Sequence, residues 1–275
     1  MEKGKFILTN GIFLMFDEFN ISFQETQSPG FTEHFRAVRT SFPFFKETLK
    51  IIKLKFLLFN QQFPELTEND GAYLKRQMER TLTKNKHFLG AKVSLSFKFS
   101  EKKISYTIHS ETTETADFEL NEKGLFAEIF DKIQKPVSSL STIALGSTPY
   151  WEIAESFRRG TTIDDFLIIS TSDFVLETPY SNIYLISGTT VWGVSGNSGA
   201  YEDITKPLII DICNKLNLFY SEDEAITIDR LNKADEIFTV NAIQGIRWII
   251  GIGGKRYFNN ITRKISELFK QFTIN

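Results

Sequence analysis

The sequence predicts an α+β fold of two domains, a small α/β amino-terminal one over residues 1–118 and a larger pseudo-barrel one over 119–275. Three observations predict it. The length of 275 residues is generous for one compact core and ordinary for two. The first half mixes period-two strand patterns with helical spacing, as an antiparallel sheet with helices on one face does. In the second half several short strands follow one another with only turns between them, which suits a pseudo-barrel better than a doubly wound parallel sheet.

The elements follow in order. Lys5–Thr9 and Ile12–Phe16 flank Asn10-Gly11, a strong hairpin signal. His34–Thr40 is a strand. Phe44–Leu58 and Gly71–Leu82 carry apolar residues at helical spacing, the second with Asn69 or Asp70 placed to cap it. Ala91–Phe99 and Ile104–His109 alternate apolar and polar residues, as half-buried strands do. The polar run Ser110–Asp117 reads as a surface connection, with the domain junction between it and Pro136. Beyond the junction, Tyr150–Arg159 is a helix ending at Gly160. The strands are Phe166–Ser170, Phe174–Glu177, Asn182–Ser187 and Thr190–Val194, then Glu224–Ile228, Glu236–Asn241 and Ile246–Ile252. Thr205–Leu216 and Asn260–Phe272 are helices, the last capped by Asn259 or Asn260.

Composition narrows the function. With 41% hydrophobic and 24% charged residues, a net charge of -2 and scattered lysines, the chain gives no electrostatic reason to expect nucleic acid or an anionic membrane as partner. Cys213 is the only cysteine and sits on an apolar helix face, so it reads as structural, and the chain fits a reducing cytoplasm. The start lacks a signal-peptide core, and no apolar segment approaches the ~20 residues of a membrane span. The sequons at Asn20 and Asn260 read as chance matches. His87 and His109 have no metal-ligand partners at a recognisable spacing and read as surface residues, so no metal is expected. Gly251-Ile252-Gly253-Gly254 is a turn between strands, not a dinucleotide fingerprint.

Four motifs carry a resemblance. Val175-Leu176-Glu177-Thr178-Pro179-Tyr180-Ser181-Asn182-Ile183-Tyr184-Leu185, Asp203-Ile204-Thr205-Lys206, Leu231–Ile246 and Glu33-His34-Phe35-Arg36 together resemble fold-type IV pyridoxal-phosphate enzymes. That group holds the class IV aminotransferases and 4-amino-4-deoxychorismate lyase, and has the two-domain D-amino-acid-aminotransferase-like fold. The resemblance is firm over 164–265 and looser before about 130. It implies that Glu177 bonds the cofactor's ring nitrogen and keeps it protonated, so that the ring withdraws electrons. It also implies phosphate donors at Ile204, Thr205, Asn241 and Ala242, a helix amino end being suited to an anion. Asn241-Ala242 is nearer to the lyases than to the branched-chain aminotransferases. The substrate-pocket candidates are His34, Arg36 and Tyr150. Blander readings stand beside these: Thr205 as a helix cap, Asn241 as a turn residue, Tyr150 as core, and His34 and Arg36 as a solvated strand face.

Several departures accompany the matches. The run from Lys135 to Tyr150 resembles the family's lysine-bearing segment, and Ala144 falls on the catalytic lysine, where a methyl group can neither hold the cofactor nor move a proton. Lys135 lies nine residues earlier, which in extended chain spans roughly 30 Å and excludes it as a stand-in. Asp203 replaces a glycine, Lys206 an arginine, and Thr48 and Ile51 stand where the family has His-x-x-Arg. Three functions are implied: a lyase releasing pyruvate to give 4-aminobenzoate with pyridoxal 5'-phosphate as cofactor, an amino-acid aminotransferase, or a catalytically degenerate relative that binds a small molecule or a partner protein and holds no cofactor. The family's habit implies a homodimer.

Overall fold

The structure is a computed structural model, and it describes residues 1–19, 27–100, 103–145 and 148–274. Asn20 and the Gly146-Ser147 pair of the segment after Lys135 lie outside the described residues. The chain divides into two compact units, Met1–Asp117 and Phe118–Thr273, with the last two residues shared between them.

The first unit is a five-stranded antiparallel sheet in the order β2-β1-β5-β4-β3, made of β1 (Phe6–Thr9), β2 (Ile12–Met15), β3 (Gly30–Val38), β4 (Gly90–Ser100) and β5 (Lys103–Thr112). Asn10 and Gly11 both take positive φ, 47° and 86°, the conformation that a two-residue hairpin with the native strand twist requires. Alternation works as the sequence predicts. Val93, Leu95 and Phe97 of β4 all turn inward, and Phe97 pairs in register with Phe31 and Tyr106. On that face lie helix α1 (Phe45–Leu58), whose Phe56 meets Phe31, Phe97 and Phe99, and helix α2 (Ala72–Asn85), whose Tyr73 meets Tyr106.

Some expectations fail here. Asn69 and Asp70 do not cap α2. Both take left-handed backbone in a tight turn, and Gly71 occupies the cap position without a side-chain bond. The polar run before the junction is not a plain surface connection, since Ser110 and Asp117 are buried. His87 is buried too, its ring nitrogen pKa lowered by desolvation.

The second unit contains a closed six-stranded barrel. Its strands run β9-β12-β13-β6-β7-β8 and close through β8 pairing with β9. They are β6 (Leu125–Lys135), β7 (Asp165–Ser170), β8 (Val175–Thr178), β9 (Ser181–Ser187), β12 (Glu236–Asn241) and β13 (Gly245–Ile252). Strands β10 (Thr190–Val194), β11 (Phe219–Asp223) and β14 (Lys255–Arg256) extend it. Closure removes the sheet edges. Leu167, Val175, Ile183, Leu185, Ile237 and Ile249 fill one core. Because β6 and β7 pair in parallel, the chain must cross over between them, and helix α3 (Thr148–Arg158) makes that crossing. Helix α4 (Lys206–Lys215) carries Cys213, which is buried with its thiol pushed up to about 11 by desolvation.

The strand expected over Glu224–Ile228 is corrected. Strand β11 ends at Asp223, and Thr227 caps a short helix α5 (Ile228–Lys233) by accepting the Arg230 N–H at 3.2 Å. Helix α6 (Asn260–Ile274) is capped from another element. The carboxylate of Glu236 on β12 accepts the N–H groups of Ile261 and Thr262, each at 2.8 Å.

Candidate active site

The barrel buries the carboxylate of Glu177, near the end of β8, with no solvent exposure at all. Such a group must be paired and bonded to stay charged. Lys135 donates to both of its oxygens, at 2.8 and 3.0 Å, and the Trp151 indole N–H donates at 2.7 Å. The backbone N–H of Tyr201 donates to the second oxygen. Lys135 is itself 1% exposed and also donates to the Ser141 carbonyl at 3.1 Å. Burial pushes the Glu177 carboxyl up, and Lys135 is foremost among the groups that hold it down. Burial likewise pushes the Lys135 amine down while Glu177 opposes it. An amine shifted downward is nearer to the neutral form that acts as a nucleophile.

The local sequence explains how these groups meet. Lys135 ends β6 at an irregularity: Phe130 pairs with Ile168, yet Lys135 pairs with Ser170, so three extra residues bulge from β6 and re-aim its end. The chain then turns back. Ser141 Oγ accepts the Ser138 N–H at 2.9 Å, and the Ser141 N–H bonds the Ser138 carbonyl. The residues after Lys135 are therefore coiled rather than extended, and the distance argument that excluded Lys135 is corrected. Ala144 packs as an apolar wall residue against the cluster of Phe130, Trp151, Ala154, Phe166 and Ile168.

Trp151 is positioned by α3 and held between two tyrosines, with ring centroids 4.7 Å from Tyr180 and 5.1 Å from Tyr201. Tyr180 has φ 64°, a strained setting for a residue with a side chain, at the turn joining β8 to β9. Tyr150, its neighbour in sequence to Trp151, is half-buried and is not among the bonding partners of Glu177. Asn182 of β9 clamps the segment after β10: it donates to the Tyr201 carbonyl and accepts the Asp203 N–H at 2.9 Å.

At the head of α4 two of the expected phosphate donors, Thr205 and Ala242, come together around a residue of the chain. The Asp203 carboxylate accepts the Thr205 N–H at 2.9 Å, the Thr205 hydroxyl at 2.6 Å and the Tyr201 hydroxyl at 3.3 Å, and the Ala242 N–H bonds it as well. Burial pushes Asp203 up to about 6 against these bonds. Ile204, expected to donate by its backbone N–H, follows it in the same turn and is not among the groups bonded to the Asp203 carboxylate. Asn241 serves its own turn, its carbonyl oxygen accepting the Ile243 and Gln244 N–H groups and its amide donating to Ser181. Lys206 is engaged by Glu202 at 2.6 Å and Glu222 at 2.9 Å, and these two outweigh the lowering by burial and raise its pKa.

The remaining candidates belong to the first unit. Arg36 is not on a solvated strand face. It is buried and donates to the carbonyls of Thr115 at 2.5 Å, Ala116 at 3.3 Å and Asp117 at 3.2 Å, pinning that segment. Burial lowers it to about 10. His34 bonds Ser94 at 3.0 Å, and burial, then Lys92 and Lys55, lower it to about 3, so its ring is neutral at ordinary pH.

Sequence reasoning weighed Lys135 and set it aside on distance, and it gave Trp151 and Tyr201 no bonding role; the signal it had was a lone lysine just before Pro136, at the end of a stretch not recognised as a strand.

A profile of the family described as amino-transferase class IV matches residues 68–252, well over half of the chain. No curated protein sequence matches. Among solved structures, a branched-chain amino acid aminotransferase from T.th. with pyridoxamine 5'-phosphate superposes with TM-score 0.84 at 16% identity, covering 99% of this chain and 95% of that one. The branched-chain aminotransferase of Thermoproteus uzoniensis gives 0.81 at 18%, covering 98% and 94%. A candidate 4-amino-4-deoxychorismate lyase from Legionella pneumophila gives 0.77 at 17%, covering 93% and 97%. At these identities the likeness shows the two-domain fold.

Proposed function

Because the chain belongs to the amino-transferase class IV family, whose members depend on pyridoxal 5'-phosphate, we propose that it is a lyase of the 4-amino-4-deoxychorismate type, with Lys135 rather than residue 144 as its covalent lysine. The observation that carries this is the buried contact of Lys135 with Glu177, 2.8 Å apart. An amine and a carboxylate, both shielded from water, are the pair needed at the two ends of a pyridine aldehyde ring. A ring entering there takes over the contact that Lys135 now makes.

The ring end therefore offers the amine and the carboxylate that the family's cofactor needs, and a ring enters only by parting their 2.8 Å contact. Glu177 would hold the ring nitrogen, Lys135 would hold the aldehyde carbon, and Trp151 would keep Glu177 oriented. When bound, such a ring supplies an electron sink for charge left on the substrate's α-carbon. Within the chain, Lys135 is the group placed to accept and return a proton at that carbon, since burial brings its pKa down. Trp151, Tyr180 and Tyr201 exclude water around Glu177. The opposite end, where Asp203 fills the donors, does not fit a phosphate.

The lyase is favoured over an aminotransferase by the Asn241-Ala242 turn and by the assignment of the cations. Arg36, the candidate for gripping a substrate carboxylate, is spent on backbone carbonyls. The degenerate reading, with Ala144 in the lysine's place, is the alternative that Asp203 favours. Incubation with 4-amino-4-deoxychorismate decides between them. Formation of 4-aminobenzoate that Lys135→Ala abolishes and Ala144→Lys leaves unimproved is expected; no product from the native chain, supplied with either pyridoxal or its phosphate, refutes the lyase. A homodimer is proposed with it, and a monomer in sedimentation at micromolar concentration would count against that.

A further inference from the structure

The donors at the head of α4 raise a question of their own, because a carboxylate of the chain already holds them. A local explanation covers part of the arrangement. An aspartate in a turn commonly accepts the backbone N–H two positions on, as Asp203 does from Thr205, the residue before α4. Such a turn needs nothing more. Asp203 also receives the Thr205 hydroxyl, the Tyr201 hydroxyl and the Ala242 N–H, the last from the turn after β12. Its own N–H is fixed by Asn182 of β9. Donors from two separate parts of the barrel, the 201–205 segment and the turn after β12, thus converge on one carboxylate that is almost wholly buried, 6% exposed. That is an anion site with the anion built into the chain.

The two lysines of this site are both committed and do not offset a second anion. Lys206, next along the chain, is paired with Glu202 and Glu222. Lys135 is paired with Glu177. A phosphate monoester placed at these donors would meet the Asp203 carboxylate at contact distance in a water-poor setting, where like charges repel strongly. A hydroxyl at the same place would instead donate to the carboxylate and form a charge-assisted hydrogen bond.

We propose that Asp203 is a resident anion that closes this cup to phosphate, so that the site accepts a pyridine aldehyde bearing a hydroxymethyl arm, pyridoxal, in preference to its 5'-phosphate. This rests on the assignment of Lys135 as the covalent lysine, and it concerns the opposite end of the ligand. Asp203 discriminates between ligands; Lys135 and Glu177 bind the part they share.

The test uses the full chain and two variants. Asp203→Gly empties the cup, and Asp203→Asn keeps its size while removing the charge. Each protein is titrated with pyridoxal and with pyridoxal phosphate, the adduct is fixed with borohydride, and its position is read by mass spectrometry. The native chain is expected to take pyridoxal on the order of ten-fold or more tightly than the phosphate. Asp203→Gly should invert the order, and Asp203→Asn should narrow it. A native chain that prefers the phosphate overturns the proposal, as does an order that neither variant changes. Inorganic phosphate in equilibrium dialysis forms an independent arm: Asp203→Gly should retain it and the native chain should not, and equal retention overturns the proposal. If neither aldehyde gives an adduct at Lys135 in any of the three proteins, the Lys135 assignment fails, and the dialysis arm alone decides the role of Asp203.

Discussion

Replacing Lys135 by methionine tests the centre of the site without any cofactor. Methionine nearly matches the lysine stem in volume, so the change removes a charge rather than opening a cavity. Lys135 and Glu177 are 1% and 0% exposed, so water cannot take the lysine's place. Removing one partner of a buried pair costs about 3–5 kcal/mol, because the other is left charged in a poor solvent. The stranded group has one escape, which is to take up a proton.

The direction in pH follows from that escape. Burial raises the Glu177 pKa in the folded chain, and the strongest opposing influence, Lys135, is gone in the variant. The folded variant therefore holds the Glu177 proton more tightly than the unfolded chain, whose carboxyl titrates near ~4.3. Stability must then rise as pH falls through the folded pKa toward that value, and the full penalty is seen above it. Urea unfolding of the native chain, Lys135→Met, Glu177→Gln and the double variant, each at pH 5 and pH 8, reads the effect. The double variant, with no charge left to strand, should recover most of the loss, a coupling of at least ~2 kcal/mol. A single-variant loss below ~1 kcal/mol that is the same at both pH values would refute the buried pair.

Three further outcomes are expected. Asp203 titrates near 6 in the fold against an ordinary 3.8, so its contribution to stability is largest below that lower value and falls as pH rises to about 6, by at most ~3 kcal/mol; Asp203→Asn should flatten the urea midpoint over this window, and parallel slopes for the two proteins would contradict it. Trp151→Phe keeps the ring between Tyr180 and Tyr201 but removes a hydrogen bond to a charged group, and should cost ~1.5–3 kcal/mol in denaturant unfolding; a neutral result would show that the indole N–H does not bond Glu177. Glu236→Ala strips the cap from α6, and hydrogen exchange at Ile261 and Thr262 should speed up well ahead of exchange in the barrel strands, whereas unchanged exchange there would rule out the cap.

Much of the architecture was legible because its signals are local. Asn10-Gly11 dictates a hairpin by backbone conformation alone, and the alternation of Ala91 to Phe99 dictates which side of the sheet is buried. Glu177 was legible as a special carboxylate from its motif. The failures have physical causes as well. Strand β6, Leu-Phe-Ala-Glu-Ile-Phe-Asp-Lys-Ile-Gln-Lys, does not alternate cleanly, since a bulge resets its register before Lys135. Without that strand, Lys135 read only as the start of the lysine-bearing segment, and the motif put the lysine position nine residues later, at Ala144. The distance argument then treated the following residues as extended, although Ser138 and Ser141 fold them into a turn. Asp203 was read as a charge standing beside a phosphate; only the fold shows that it occupies the donors itself.

Two of the barrel's buried carboxylates, Asp203 and Glu177, differ in what stability alone can explain. Asp203 satisfies donors of the segment before a helix and of a neighbouring turn, so local bonding accounts for part of its presence. Glu177 is different. Desolvating two charges roughly cancels their attraction, so the Lys135–Glu177 contact by itself adds little net stability. The structural groups that the pair satisfies are the Tyr201 N–H and the Ser141 carbonyl, together with the Trp151 indole. A lysine and a glutamate that contribute little net stability, sit out of water and lower each other's cost only while in contact are suited to being parted by a ligand that pairs with both. This argues for a retained ring site more strongly than any single motif does, and it predicts that a ligand bearing a basic ring nitrogen and an aldehyde raises the stability of the native chain but not that of Lys135→Met/Glu177→Gln.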